Sequence, residues 1–344
     1  MAIRRSTLGR ALCGSLLLLS AAACGSAGSS SAPVASPSAP PSGRGETFFP
    51  AAAEWYRDVS TAPLDSESAA VSAYLDRVGW GTGRMQIDFS IEVLTAAQDT
   101  PLMAFRPTQD HFLPDCDLDP IPVPPSGTLE GETGYACLGD GDCHLIVVDR
   151  GRQRLFEMWR ADIRGSQFRG GCLAVWDMTR VYPPSGRGEQ CTSADAAGYP
   201  IAALLFTADE VAAGSIDHAI RFILPNARIR GGVYVHPATH GTRSTTGPGD
   251  APPYGTRLRL RADYPLDRLP NAGARVVARA MQRYGILLSD GGNIALTARS
   301  DRFTTAKWSG LLGSRDLEAL RPGDFAMVAA GDRIPLTLDC VRNP

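Results

Sequence analysis

Short apolar runs of strand length, separated by polar and turn-forming clusters, dominate the body of the chain. In His144–Arg160 (HLIVVDRGRQRLFEMWR), apolar residues fill both alternating sets on either side of a polar centre. A four-residue turn at Arg150–Gln153 would set Asp149 against Arg154, Val148 against Leu155, Ile146 against Glu157 and His144 against Trp159. Side chains of a strand point alternately to its two faces, so His144, Glu157 and Trp159 share one face. Leu145, Val147, Phe156 and Met158 fall on the other. With both faces apolar, the hairpin should be central and covered on both sides. Further short runs rich in β-branched and aromatic residues are Gly171–Asp177, Ile216–Leu224, Gly232–Val235, Thr256–Ala262, Ile286–Ser289, Ile294–Ala298 and Phe325–Ala329. Gly, Pro, Asp and Asn clusters separate them, as they separate strands. Asp290-Gly291-Gly292-Asn293 predicts a hairpin turn joining two of these runs.

Helical spacing is rarer. Ser66–Val78 places Ala70, Ala73, Tyr74 and Val78 near one face and ends at Gly79. Thr207 and Glu210 have the spacing of a capping box before a short helix that Gly214 stops. Asn271–Tyr284 is the strongest pattern, with Val276, Val277, Ala280, Met281 and Tyr284 on one face and Gly285 beyond the end. Many short strands and few helices predict a mainly β fold, a β-sandwich or jelly roll with a few peripheral helices.

The N-terminus changes the picture, because it reads as an address. Arg4, Arg5 and Arg10 precede the apolar run Leu12–Leu19, and Ala21, Ala22 and Ala23 lead into Cys24. Basic, short apolar, then small residues is the order of an export signal, and the run is too short to span a bilayer. Small residues before a Cys are similar to a bacterial lipobox, although Ala21 stands where Leu is commonest. The expected organisation is a lipoprotein signal at 1–23, a Ser/Ala/Pro-rich tether at 24–47 and one extracytoplasmic domain at 48–344. Cys24 is the expected lipid site, so the membrane is a partner through that lipid.

Beyond Cys13 and Cys24 there remain Cys116, Cys137, Cys143, Cys172, Cys191 and Cys340. An even number in an exported chain predicts three disulfides and leaves their pairing open. The formal charge of −2 becomes about −5 once the three signal arginines are removed, which points away from nucleic acid. No P-loop, dinucleotide fingerprint or GxSxG elbow occurs in its required setting, and no cofactor is expected. His236 and His240 are four apart, but Pro237 between them argues against a helix presenting both to a metal, and none is expected. Asp140-Gly141-Asp142 resembles a fragment of a calcium loop but reads more simply as a turn.

Candidate chemistry starts from the hairpin. A carboxylate buried beside an indole should have a raised pKa, and a neighbouring imidazole can relay protons. Glu157 is therefore the first candidate acid or base, with His144 beside it and Asp149, Asp195 or Asp290 as a second carboxylate. Trp159, His218, Arg221, His240 and Arg243 are candidate ligand contacts. An aromatic ring beside a carboxylate suits a sugar, with the ring against the pyranose and the acid at the glycosidic oxygen.

Several segments in order carry a resemblance: DCHLIVVDRGRQRLFEMW, TSADAAGYPI, DEVAAGSIDHAIRF, VHPATHGTRS, PPYGTRLRLRADYPL and MQRYGILLSDGGN, spanning roughly Asp142 to Asn293. The chain resembles a family of secreted bacterial proteins, often large and sometimes accompanied by carbohydrate-binding modules. The resemblance implies an extracellular role and brings no established catalytic residues with it. The polar positions of its pattern correspond here to His144, Asp149, Glu157, Asp195, His218 and Asp290. The expected function is a membrane-anchored lipoprotein that binds a polysaccharide through a carboxylate acid/base site, with its cleavage, as by a glycoside hydrolase or polysaccharide lyase, left open; the alternative is a non-catalytic envelope binding or scaffold lipoprotein.

Overall fold

A computed structural model describes residues 46–139 and 141–344. The signal peptide, Cys24, most of the tether and Asp140 lie outside the described residues. The strands that position the site are, in chain order, β1 (Ile87–Ile91), β2 (Leu94–Thr95), β3 (Leu145–Asp149), β4 (Arg154–Met158), β5 (Leu173–Asp177), β6 (Ile220–Leu224), β7 (Arg257–Leu260), β8 (Ile286–Gly291), β9 (Leu296–Arg299) and β10 (Phe325–Met327). The helices are α1 (Ser68–Val78), α2 (Ala208–Ala213) and α3 (Ala272–Arg283). The fold is mainly β with few helices, as the periodicity predicts.

A six-stranded sheet has the order β1-β9-β6-β8-β7-β10. It is mixed: β6 runs parallel to β8 and antiparallel to β9, and β1 runs parallel to β9. A second sheet has the order β5-β4-β3-β2 and is antiparallel except for β2 against β3. Shorter strands form small sheets around these two.

The β3–β4 register is the one the sequence predicts, with Asp149 opposite Arg154 and Ile146 opposite Glu157. Its turn is held by Asp149, whose Oδ1 accepts the Arg152 N–H at 2.9 Å. Both faces are covered. Ile146, Val148, Leu155, Ala174 and Trp176 join the main core with Phe222, Leu288 and Leu296 from the large sheet. Leu145, Val147, Phe156 and Met158 face a second core with Ile121, Leu129 and Phe168. Each of the larger side chains stabilises the fold by about 1.5–3 kcal/mol through burial.

The caps of α2 and α3 form as expected. Thr207 and Glu210 make the reciprocal capping box, and the Asn271 side chain accepts the Ala274 N–H at 2.8 Å. Helix α1 differs from its pattern: Ser68, Val71, Tyr74 and Leu75 are buried, and Ala70 and Ala73 are exposed. Burying Val71 and Leu75 removes more apolar surface from water than burying two alanines, and that fixes the helix's rotation.

One turn joins the predicted strands but does not pair them. Asp290–Asn293 does link β8 to β9, but β6 lies between them, so no hairpin forms. Asp290 and Gly291 prolong β8 beside Ile223 and Leu224, and the Gly292 N–H donates to the Leu224 carbonyl at 2.9 Å. The chain thus arches over the end of β6. Burying Ile220, Phe222 and Leu224 between two partners outweighs the local preference for a tight reversal. The arch carries a bulge: Phe222 pairs with Leu288 but Ile223 pairs with Asp290, leaving Ser289 as the extra residue. Strict alternation would set Asp290 on the face of Leu288. The bulge moves it to the face of Ile223 and Arg221.

The six cysteines of the body pair as Cys116–Cys172, Cys137–Cys143 and Cys191–Cys340. Among the described residues no helix is long and apolar enough to cross a membrane.

Candidate functional site

Arg221, near the start of β6, is the element around which the site forms. Its side chain as a whole is 4% exposed. Nε donates to Asp195 Oδ1 at 2.8 Å, Nη2 to Asp290 Oδ2 at 3.0 Å and Nη1 to Thr297 Oγ1 at 3.2 Å. Asp195 arrives on the loop after Cys191, where the Ser193 hydroxyl accepts the Asp195 N–H at 3.0 Å and donates to the Tyr199 carbonyl at 2.8 Å. The loop closes at Gly198, whose φ of 83° suits glycine and whose missing Cβ makes room for Thr239. Burial pushes both carboxyls up, and the Arg221 charge opposes that rise.

Above this triad lies a cleft of about 600 Å³. Asp195, Asp290, Trp159, His240 and Arg243 all line it, together with Asp142, Thr242, Tyr254, Phe112 and Leu113. The indole on its rim is fixed from two sides. Trp159 Nε1–H donates to Asp142 Oδ1 at 3.0 Å, and the Arg160 guanidinium lies over the ring, 4.7 Å from its centroid. His240 donates Nδ1–H to the Ala196 carbonyl at 2.9 Å, and burial lowers its pKa, so its other nitrogen is an acceptor. Among the described residues, three buried polar atoms of the cleft lining lack a close hydrogen-bond partner: Asp195 Oδ2, and Thr242 Oγ1 and Tyr254 Oη, which are near neighbours of each other. Such atoms cost about 1–3 kcal/mol each unless water or a ligand satisfies them, so their convergence on one cleft marks a place where a polar guest is stabilised.

Three candidates from the sequence lie elsewhere. Glu157 shares the face of His144, as the register requires, but it is 0% exposed and does not reach the cleft. Its Oε2 accepts the Trp176 indole N–H at 3.1 Å and the Ile201 N–H at 3.0 Å, and its Oε1 accepts the Ala202 N–H at 2.8 Å. Burial pushes its pKa up to about 7 against those three donors. Glu157 anchors the 200–204 segment to the second sheet; its surroundings leave no room for a substrate. Asp149 is buried in the hairpin turn, paired with Arg152. His218 is buried between Glu210 of α2 (3.2 Å) and the Ala219 carbonyl (2.7 Å), tying α2 to the approach of β6.

His144 supports the cleft from behind. Its Nδ1 faces Glu130 Oε2 at 2.6 Å and its Nε2 faces the Ala194 carbonyl at 3.0 Å. Two acceptors require two donors, so the ring is an imidazolium and is unsuited to relaying protons. It holds in place the loop that carries Asp195. Burial opposes its charge, but Glu130 outweighs burial and raises the pKa to about 9. A raised folded-state pKa gives stability that is complete below the ordinary value near 6.5 and lost as pH rises through about 9. Urea unfolding should therefore show a loss of about 2–3 kcal/mol over that window, and His144→Gln should flatten the curve. Equal slopes in the two proteins would show that the imidazolium contributes nothing.

Asp142, Thr242, Tyr254, Phe112 and Leu113 are cleft residues that the sequence does not single out for ligand contact. Tyr254 and Thr242 do fall within or beside segments that carry the family resemblance, but no spacing rule connects them to Asp195. Compared with protein-family models, curated proteins and solved structures, the chain matches none.

Proposed function

We propose that the protein is an extracytoplasmic lipoprotein, held to the bacterial membrane through Cys24, that binds a polysaccharide in the cleft between Trp159 and Asp195. The arginine-led apolar N-terminus ending in Ala-Ala-Ala-Cys and the three disulfides support the location. The observation that carries the ligand class is a fixed indole at the rim of a cleft whose lining holds unpaired polar atoms. Sugars have that same division, with an apolar ring face and a periphery of hydroxyls. Acidic and hydroxyl groups in the lining match hydroxyl donors, and the ring supplies the apolar contact.

Trp159→Ala tests this. In a panel of bacterial and plant polysaccharides, at least one should bind the wild-type chain, and the variant should bind it at least about tenfold more weakly with the fold intact by circular dichroism. A panel with no binder, or binding indifferent to the indole, would remove the reading. A second reading, hydrolysis of the bound chain, is favoured by the raised Asp195 carboxyl beside a second carboxylate, since glycosidases need one acid protonated and one ionised. New reducing ends that disappear in Asp290→Asn would select it, and binding without product would select the non-catalytic one.

A further inference from the structure

We infer that the cleft selects glycans bearing a free amino group, seated as an ammonium ion against Asp195 Oδ2 with Asp142 and Asp290 around it. The inference rests on the glycan reading and narrows it to a substrate class. Its first support is the sign of the cleft. Asp115, Asp142, Asp195 and Asp290 line it; Arg243, on the exposed rim, is the only lysine or arginine among the described lining residues, and Arg160, over the Trp159 ring, is paired with Asp110. The Arg221 charge beneath is already shared between Asp195 and Asp290. His144 is balanced by Glu130. The surplus is negative.

The second support is independent of charge counting. Asp195 is wholly buried, its Oδ1 is taken by Arg221, and its Oδ2 has no partner. His240 directs its N–H to Ala196 and keeps an acceptor for the cleft. Asp142 spends one oxygen on the Trp159 indole. The lining thus offers Asp195 Oδ2, the second oxygen of Asp142 and one nitrogen of His240 as acceptors to a cationic donor. A metal ion needs a tighter set. Among the described residues, the groups of three ligand atoms within 4.8 Å of one another are Asp115 with Cys191 and Cys340, and Glu132 with Cys137 and Cys143. Both consist largely of disulfide sulfur, and neither brings Asp142, Asp195 and Asp290 together. Trp159, with Arg160 over one side of its ring, adds an apolar face at the rim for the sugar ring that carries the cation.

The test titrates the full chain calorimetrically with a glucosamine hexasaccharide, its fully N-acetylated counterpart and spermidine. Acetylation removes the charge and two donors while keeping the sugar backbone, so the free amine should bind at least about tenfold more tightly. That preference should fall to less than about threefold in Asp195→Asn. Asp142→Asn, at an exposed position, should reduce it as well and serves if Asp195→Asn does not fold. Equal or tighter binding of the acetylated sugar overturns the ammonium assignment and leaves the glycan reading standing. Spermidine binding as tightly as the amino-oligosaccharide, with Trp159→Ala without effect, overturns the glycan reading beneath it. Failure of both oligosaccharides to bind overturns the inference outright.

Discussion

Arg221→Met is expected to be about 3–5 kcal/mol less stable than wild type at pH 7, and to regain much of the difference as pH falls toward 5. Methionine can occupy most of the stem's volume, so the loss would not come mainly from a cavity. It would come from Asp195 and Asp290, which share the guanidinium and are left as neighbouring carboxylates in low dielectric. Burial already raises both. An acid whose folded pKa lies above its unfolded value destabilises the native state at high pH, and that cost fades as the solution becomes acid enough to protonate it. Urea denaturation at the two pH values gives the measurement. A deficit of the same size at both would mean that packing, and not the stranded charges, is responsible.

Glu157→Gln should also destabilise, by about 2–4 kcal/mol, while the folded protein keeps its glycan affinity within about twofold. Both carboxylate oxygens accept hydrogen bonds from N–H groups that have nowhere else to go: Trp176 and Ile201 on one, Ala202 on the other. An amide places its own NH₂ against one of those donors, so a buried N–H faces another N–H. The effect belongs to folding, because Glu157 is sealed between the second sheet and the 200–204 segment. Denaturant midpoints and calorimetric affinity, measured on the same sample, separate the two. Unchanged stability with abolished binding would return Glu157 to the site.

What the sequence discloses here is local and periodic. The β3–β4 register follows from residue numbering once the turn length is set, because a pleated strand repeats every two residues. The caps at Thr207 and Asn271 are visible because a cap lies within one helical turn of what it caps. Apart from Asp149, held by Arg152 three residues on, and His218, held by Glu210 and Ala219, the misreadings involve partners far away in sequence. Nothing near Glu157 announces that the amides of Ile201 and Ala202 will close on it. The Asp290 turn was legible as a reversal, but its strands are separated by β6, some 65 residues earlier. Ser289 is the sharpest case. One extra residue in the β8 ladder puts Asp290 beside Arg221, and simple alternation would have sent it to the opposite face. Arg221, Asp195 and Asp290 could be named as candidates from their chemistry, but their meeting depends on that bulge.

Two of the sulfur bridges have a bearing on how the cleft meets a guest. Cys172 lines it, Cys116 adjoins Asp115, Cys191 precedes Thr192, and Leu338 of its lining lies two residues before Cys340. Segments up to 149 residues apart are thereby stitched together around one opening. Walls fastened in this way have little slack to lose when something settles between them, so the ordering cost of binding is low. They also have little slack to give, so a chain with one bulky branch too many meets backbone that will not step aside, and the opening sorts by outline before it sorts by charge.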